Sequence, residues 1–77
     1  MEDLLVSKTR LGNRLKVARA EHSFSQAELA AMVGVTRQTI SSIETGQYCP
    51  SALLAYQLAK QFGVPVTEIF YLEGDAP

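Results

Sequence analysis

The chain has 77 residues, with seven basic and eight acidic side chains and a formal net charge of −1. This length is near the lower limit for a self-sufficient hydrophobic core, so we expect one domain with an oligomeric interface. The single cysteine, Cys49, excludes an intramolecular disulfide, and the single histidine, His22, leaves no credible metal cluster. No apolar run approaches the roughly 20 residues of a membrane span and the first residues, MEDLLV, are acidic where a secretion signal is basic, so a cytoplasmic protein is expected.

The cations are concentrated in the first quarter of the chain. Five of the seven lie within 12 residues: Lys8, Arg10, Arg14, Lys16 and Arg19. A basic stretch that stands alone is usually a solvated helix face. Beside a nucleic-acid-binding motif, the same stretch becomes a candidate for contacts with phosphate.

A first helix is predicted over residues 11–21. Its apolar residues, among them Leu15 and Ala18, recur at helical spacing and form one stripe. The apolar segments 4–6 and 70–72 are too short for stable helices, and the pattern permits them to pair as strands against each other.

A second helix is predicted to begin at Gln26. Ser25 followed by Glu28 forms a capping box, in which the serine hydroxyl accepts a hydrogen bond from the backbone three residues on and the carboxylate reaches back to the cap amide. The apolar periodicity ends at Gly34, which can adopt the left-handed conformation that a helix C-terminus needs.

A third helix is predicted from about Arg37 to Thr45, with Thr36 as its N-cap. Ile40 and Ile43 recur on its inward face. The opposite face carries polar side chains that can read DNA base edges, namely Arg37, Gln38, Ser41 and Ser42.

Two further helices are predicted towards the C-terminus. Pro50 and Ser51 open a fourth helix, and Gly63 ends it. Pro65 then turns the chain into a final short helix around residues 67–70.

The segment from Ser25 to Gly46 resembles the helix-turn-helix of the Cro and phage-repressor-like family, also called the XRE family, of transcriptional regulators. The resemblance rests on the sequence QAELA at residues 26–30, on Gly34 and on the apolar residues at positions 29, 33, 35, 40 and 43. An ordinary helical bundle is the alternative, because two capped helices around a glycine also occur there.

The similarity extends over about residues 11–70 and implies an all-α fold. The expected architecture is a compact five-helix, phage-repressor-like DNA-binding domain, with room for a small terminal β pairing. We expect a single helix-turn-helix domain over residues 1–77, with an N-terminal extension at 1–10 and a C-terminal tail at 71–77.

The resemblance also implies how DNA is bound. The helix that begins at Arg37 would enter the major groove, where arginine can pair with guanine and glutamine with adenine. Gln26 matches the phosphate-contacting glutamine of the family. Further candidates for contacts with the DNA backbone are Thr36, Thr39, Thr45, Gln47, Lys8 and Arg10.

Arg19 and Glu44 match an arginine and glutamate that pair in the family, so a structural ion pair is favoured over a DNA contact by Arg19. Ser42 and Gln47 stand where the family often carries lysine. Because cations supply most non-specific affinity for DNA, these departures predict weak binding to random sequence.

An exposed apolar patch is expected at the C-terminal end of the chain, because the motif surface is reserved for DNA and the first helix is charged. Leu53 contributes an apolar side chain where the family usually has a charged one. The residues that we assign to a dimer interface are Leu53, Val66, Ile69, Phe70, Tyr71 and Leu72.

Three functions from different classes follow from these features. The leading one is a homodimeric transcriptional repressor that reads a near-palindromic operator in double-stranded DNA. The second is an antitoxin or co-regulator that acts mainly through protein–protein docking. An enzyme is poorly supported, because a lone histidine offers no nucleophile and base arrangement. The sequence indicates no cofactor, membrane or small-molecule ligand.

Overall fold

A computed structural model describes residues 9–74 of the chain. Lys8, and the segment 4–6 for which a strand is predicted, lie outside the described residues. Two strands and four helices follow one another as β1 Thr9–Asn13, α1 Leu15–Glu21, α2 Gln26–Val33, α3 Arg37–Glu44, α4 Ala52–Phe62 and β2 Phe70–Gly74, with a 3₁₀ turn at Val66–Glu68.

The prediction of five helices is wrong for the described part of the chain, which contains four and a two-stranded sheet. Residues 9–13 form β1, so α1 starts at Leu15 and not at Leu11. At the other end, the predicted helix around residues 67–70 shrinks to the 3₁₀ turn because Phe70 enters β2. Backbone hydrogen bonds between residues 9–13 and 70–74 favour strands over the helices that the local apolar periodicity predicts.

The two strands are antiparallel, with Leu11 opposite Leu72 and Gly12 opposite Tyr71. A strand at residues 70–72 is therefore confirmed, and its described partner is β1. The Tyr71 ring lies across Gly12 so closely that a Cβ atom at this position would overlap it. Glycine at position 12 thus lets an aromatic ring cover the backbone of the neighbouring strand.

The hydrophobic core lies between the helices and the inner end of the sheet. Five large side chains are almost completely buried: Leu15, Leu29, Ile40, Ile43 and Leu58. Every helix contributes at least one of them, so the core depends on all four helices.

Ile69 and Phe70 also belong to this core, with 3% and 6% of their surfaces exposed. Their assignment to a dimer interface is therefore wrong. Ile69 follows the 3₁₀ turn, and its carbonyl accepts a 2.8 Å hydrogen bond from the Arg14 amide. This bond and the start of β2 hold both side chains against the helices.

No helix within residues 9–74 is long and apolar enough to cross a bilayer. No group of three or more histidine, cysteine, aspartate or glutamate side chains in this range could hold a metal ion.

The burial of Ile69 predicts a loss of stability when its side chain is truncated. Ile69→Ala should lower the free energy of unfolding by about 2–5 kcal/mol, because it leaves a cavity in a packed core. Met32→Ala, at an exposed position of α2, is the control and should change stability by no more than about 0.5 kcal/mol. Urea denaturation measures both variants, and equal stabilities would show that Ile69 is not a core residue.

Candidate nucleic-acid interface

The first helix of the predicted motif begins at a complete capping box. Ser25 Oγ accepts a 3.0 Å hydrogen bond from the Glu28 amide, and Glu28 Oε1 accepts a 2.7 Å bond from the Ser25 amide. The helix ends at Gly34, whose φ of 76° is left-handed. The predicted start of α2 and its glycine stop are therefore confirmed.

The second helix of the motif, α3, begins at Arg37, three residues after Gly34. Thr36 Oγ1 accepts a 3.2 Å bond from the Thr39 amide, which confirms the predicted N-cap. Ile40 and Ile43 are buried, so the inward face of α3 is held against the core. This packing fixes which side of α3 points outward.

The four predicted base readers lie along the outer part of α3, with unequal exposure. Arg37 and Gln38 are exposed at the first turn, whereas Ser41 and Ser42 are half-buried one turn later. Gln38 Nε2 donates a 3.3 Å hydrogen bond to Ser42 Oγ. Arg37 and Gln38, in the first turn of α3, are therefore the most accessible of the four side chains.

An ion pair between Arg19 and Glu44 ties α1 to α3. Arg19 Nε donates to Glu44 Oε2 at 2.7 Å, and the two side chains are 16% and 5% exposed. Arg19 Nη1 also donates to the carbonyl of Phe24 at 2.9 Å. With these partners the Arg19 side chain has a structural role in the free protein.

Gln26 lies beside this ion pair at the start of α2. Its Nε2 donates to Glu44 Oε1 at 3.0 Å, and its Oε1 accepts a 2.9 Å bond from Arg37 Nη1. The structure therefore brings the predicted phosphate contact, Gln26, directly against the predicted base reader, Arg37.

The other candidates for backbone contacts are spread over both ends of α3. Thr36 and Thr39 lie at its start, where their hydroxyl oxygens are 3.1 Å apart. At its end, Thr45 Oγ1 donates to the carbonyls of Ser41 and Ser42. The remaining two, Gln47 and Arg10, are exposed.

Arg10 lies near the C-terminal end of α3 although it belongs to β1. It lines a cleft of about 330 Å³ together with Glu44, Thr45 and Gly46. A cation from the basic stretch is thus placed beside the helix-turn-helix.

Asn13 is a structural contact that the sequence interpretation missed. Its Nδ2 donates to the carbonyl of Ile43 at 2.9 Å, and its Oδ1 accepts from the Leu15 amide at 3.1 Å. One side chain therefore joins β1, the start of α1 and the last turn of α3. The available signal was an asparagine, a preferred capping residue, just ahead of the first buried leucine of α1.

Comparison with known proteins agrees with this geometry. A family model described as helix-turn-helix matches residues 15–69. An uncharacterized helix-turn-helix-type transcriptional regulator of Methanocaldococcus jannaschii is 51% identical over 63 residues, which cover 82% of this chain and 96% of that protein. YgzD of Bacillus subtilis, described in the same way, is 46% identical over 61 residues, covering 79% and 92%.

A similar fold occurs among solved structures. The crystal structure of a candidate DNA-binding protein from Bacteroides fragilis superposes with a TM-score of 0.73 at 26% identity, over 79% of this chain and 98% of that one. The chain therefore belongs to the XRE-type helix-turn-helix family. It is a transcriptional regulator with a DNA-binding helix-turn-helix, which is not an enzyme class.

The partly buried ion pair predicts that Arg19 contributes to stability before any DNA is present. Arg19→Met should lower the free energy of unfolding by about 3–5 kcal/mol, because it leaves the Glu44 carboxylate without its cation. The control is Lys16→Met, which removes an exposed cation from the same helix. Denaturant unfolding without DNA compares the two. Equal stabilities would contradict a structural role for Arg19.

Proposed function

We propose that this protein is a homodimeric, cytoplasmic repressor that reads a near-palindromic operator in the major groove of double-stranded DNA. The observation that carries this proposal is the exposure of Arg37 and Gln38 at the start of a helix whose opposite face, at Ile40 and Ile43, is buried. Packing of the inward face leaves the polar first turn available to a ligand.

Base readout follows from the chemistry of that first turn. A helix that enters the major groove with its N-terminal end places two or three side chains on base edges. Arg37 would donate to guanine and Gln38 would bracket adenine, each good pair contributing about 1–3 kcal/mol of discrimination. Ser41 and Ser42, which are shorter and half-buried, would make weaker contacts deeper along the helix.

Backbone contacts would flank the groove on both sides of α3. Gln26, Thr36 and Thr39 would contact the phosphates near its start. Thr45, Gln47 and Arg10 lie at its other end, with Arg10 brought there by β1. Because phosphate contacts orient the protein on DNA without selecting sequence, these residues would set how deeply Arg37 enters the groove. Lys8, outside the described residues, extends the same basic stretch.

A second copy of the chain would complete the DNA-binding unit. One recognition helix reads few base pairs, and two-fold dimers of such proteins place two of them about 34–36 Å apart. Repression would need only occupation of the operator by this dimer, since bound protein excludes other proteins from the same DNA.

The surface that we propose for this second copy carries three exposed apolar side chains of α4 and β2, Leu53, Tyr56 and Leu72, which are 69%, 64% and 75% exposed. We call it the α4–β2 patch. Beside it, Val66 and Leu72 line a groove of about 500 Å³ with Leu11, Pro50 and Phe70. Tyr71, which is 42% exposed, also lines this groove. Exposed apolar side chains beside an apolar groove are typical of a surface that a partner covers.

Removal of the Arg37 side chain should weaken and broaden DNA recognition. With an operator selected from a random-sequence pool, Arg37→Ala should lose about 1–3 kcal/mol of binding free energy and relax its preference at one base pair per half-site. Lys60→Ala, which removes one exposed cation from α4, controls for charge alone. Binding titrations on single-base operator variants measure the preference. An Arg37→Ala protein that discriminates as well as the wild type would show that Arg37 is not a base reader.

A charge placed in the α4–β2 patch should separate the dimer. Leu53→Asp and Leu72→Asp should each give a folded monomer whose operator affinity is at least about a hundredfold lower, because the two half-sites are then bound independently. Val17→Asp, at another half-exposed apolar position, should remain dimeric. Analytical ultracentrifugation with circular dichroism checks assembly and folding. Dimeric Leu53 and Leu72 variants, or a monomeric wild type, would contradict this interface.

A further inference from the structure

The outer edge of β2 presents backbone groups that point away from its paired strand. The Arg14 amide donates to the Ile69 carbonyl at 2.8 Å, and these two residues stand opposite each other directly after the last pair of the strand register. Hydrogen-bonded and non-hydrogen-bonded pairs alternate along an antiparallel ladder, so Leu11 and Leu72 form a non-hydrogen-bonded pair. The amide and the carbonyl of Leu72 therefore face outward from β1.

This edge carries none of the features that usually keep other strands away. Within the described residues 9–74, no hydrogen bond from outside the strand pair reaches the backbone of Leu72, and the residue is 75% exposed. Proline, lysine and bulges commonly protect open edges, but β2 contains neither residue type and all of it pairs in register. Its one charged residue, Glu73, lies opposite Arg10 of β1. The outer edge of β2 is thus open to another strand.

A second copy of β2 complements this edge in one register. In an antiparallel pairing about a two-fold axis centred on Leu72, the two Leu72 residues would exchange both hydrogen bonds, and Phe70 would pair in the same way with Gly74 of the second copy. This register uses the whole strand. Centring on Glu73 would place two carboxylates opposite each other, which is unfavourable. Centring on Tyr71 would leave the last two residues of β2 unpaired.

The side chain of Leu72 also suits a symmetric contact. Side chains alternate along a strand, so Leu72 lies on the same face as Phe70, which is buried. Leu72 lines the apolar groove of about 500 Å³ together with Leu11 and Val66. Residues in a hydrogen-bonded antiparallel pair have Cα atoms about 5.5 Å apart. The two Leu72 side chains would therefore be neighbours, and the groove of one copy would adjoin the groove of the other.

We infer that two copies of this chain join their β2 strands edge to edge, centred on Leu72, into one antiparallel sheet with the order β1–β2–β2–β1. This inference rests on the proposed homodimer and specifies the contact that forms it. It also has a consequence for DNA recognition, because Asn13 at the end of β1 donates to the Ile43 carbonyl of α3. One continuous sheet would connect the two recognition helices and fix the distance between them.

A proline at position 72 tests the backbone contact without DNA. Leu72→Pro removes the outward amide, and an edge strand tolerates proline where its nitrogen faces solvent. Leu72→Val is the matched control, because it also shortens the side chain but keeps the amide. Sedimentation should give a dimer dissociation constant at least about tenfold higher for Leu72→Pro than for Leu72→Val, since the two-fold axis makes each loss count twice. A folded Leu72→Pro protein that dimerises as tightly as Leu72→Val would overturn the strand pairing.

Cysteine cross-linking tests the register and does not depend on the folding of the proline variant. Cys49 is exposed, so the background is Cys49→Ser. Leu72→Cys should form a disulfide-linked dimer, because Cα atoms about 5.5 Å apart are within the span of a disulfide. Tyr71→Cys and Glu73→Cys should cross-link with each other when mixed, and neither should cross-link with itself. Circular dichroism checks that each variant is folded. Self-linked Tyr71→Cys or Glu73→Cys, or no disulfide in Leu72→Cys, would overturn this pairing.

The outcomes distinguish this inference from the proposed function. A wild-type chain that is monomeric at every concentration would overturn the homodimer and the strand pairing together. A dimeric wild type without the Leu72→Cys disulfide would overturn the strand pairing alone, and would leave a homodimer that forms through the side chains of α4.

Discussion

Burial of the Glu44 carboxylate is the constraint on which the arrangement of the helices depends. A carboxylate that is 5% exposed would be strongly unfavourable without a cation and hydrogen-bond donors. Arg19 from α1 and Gln26 from α2 supply them, so three helices must meet at this point before the charge is satisfied. The same contacts orient α3, because Glu44 is its last residue.

The terminal sheet adds a second connection to α3. Asn13, the last residue of β1, holds the carbonyl of Ile43 and the amide of Leu15 at once. Leu72, on the paired strand β2, is among the most exposed apolar side chains of the described residues. The strand pair therefore links the surface proposed for dimerisation to the C-terminal end of the recognition helix. A change in how the sheet packs would alter both together.

The charge distribution favours specificity over general affinity for DNA. Residues 25–46 contain a single cation, Arg37, and two carboxylates, at Glu28 and Glu44. Glu28 is used in the capping box and Glu44 in the interior, so both serve the fold. Because a single cation offers few phosphate contacts from the motif, we expect non-specific binding to be weak and contacts with bases to carry a larger share of recognition.

The sequence alone determined the features that depend on neighbouring residues. Capping residues predicted the start of α2, at Ser25 with Glu28, and the start of α3, at Thr36. Gly34 predicted the end of α2. These features involve groups within a few residues of one another, because capping bonds and a left-handed φ are local. The spacing of Ile40 and Ile43 predicted which face of α3 is buried, and the same pattern identified the family. Arg37 and Gln38 were placed on the outer face for the same reason.

Tertiary structure decided the features that depend on distant partners. Residues 11–13 fit a helical apolar pattern, and only the pairing of residues 9–13 with residues 70–74 makes them part of a strand. Ile69 and Phe70 were predicted to be surface residues, but the structure buries both of them in the core beside the sheet. The contact between Gln26 and Arg37, 11 residues apart, exists because Glu44 orients the glutamine from a third position. Such contacts arise from packing of whole elements, whose energy no local pattern of residues contains.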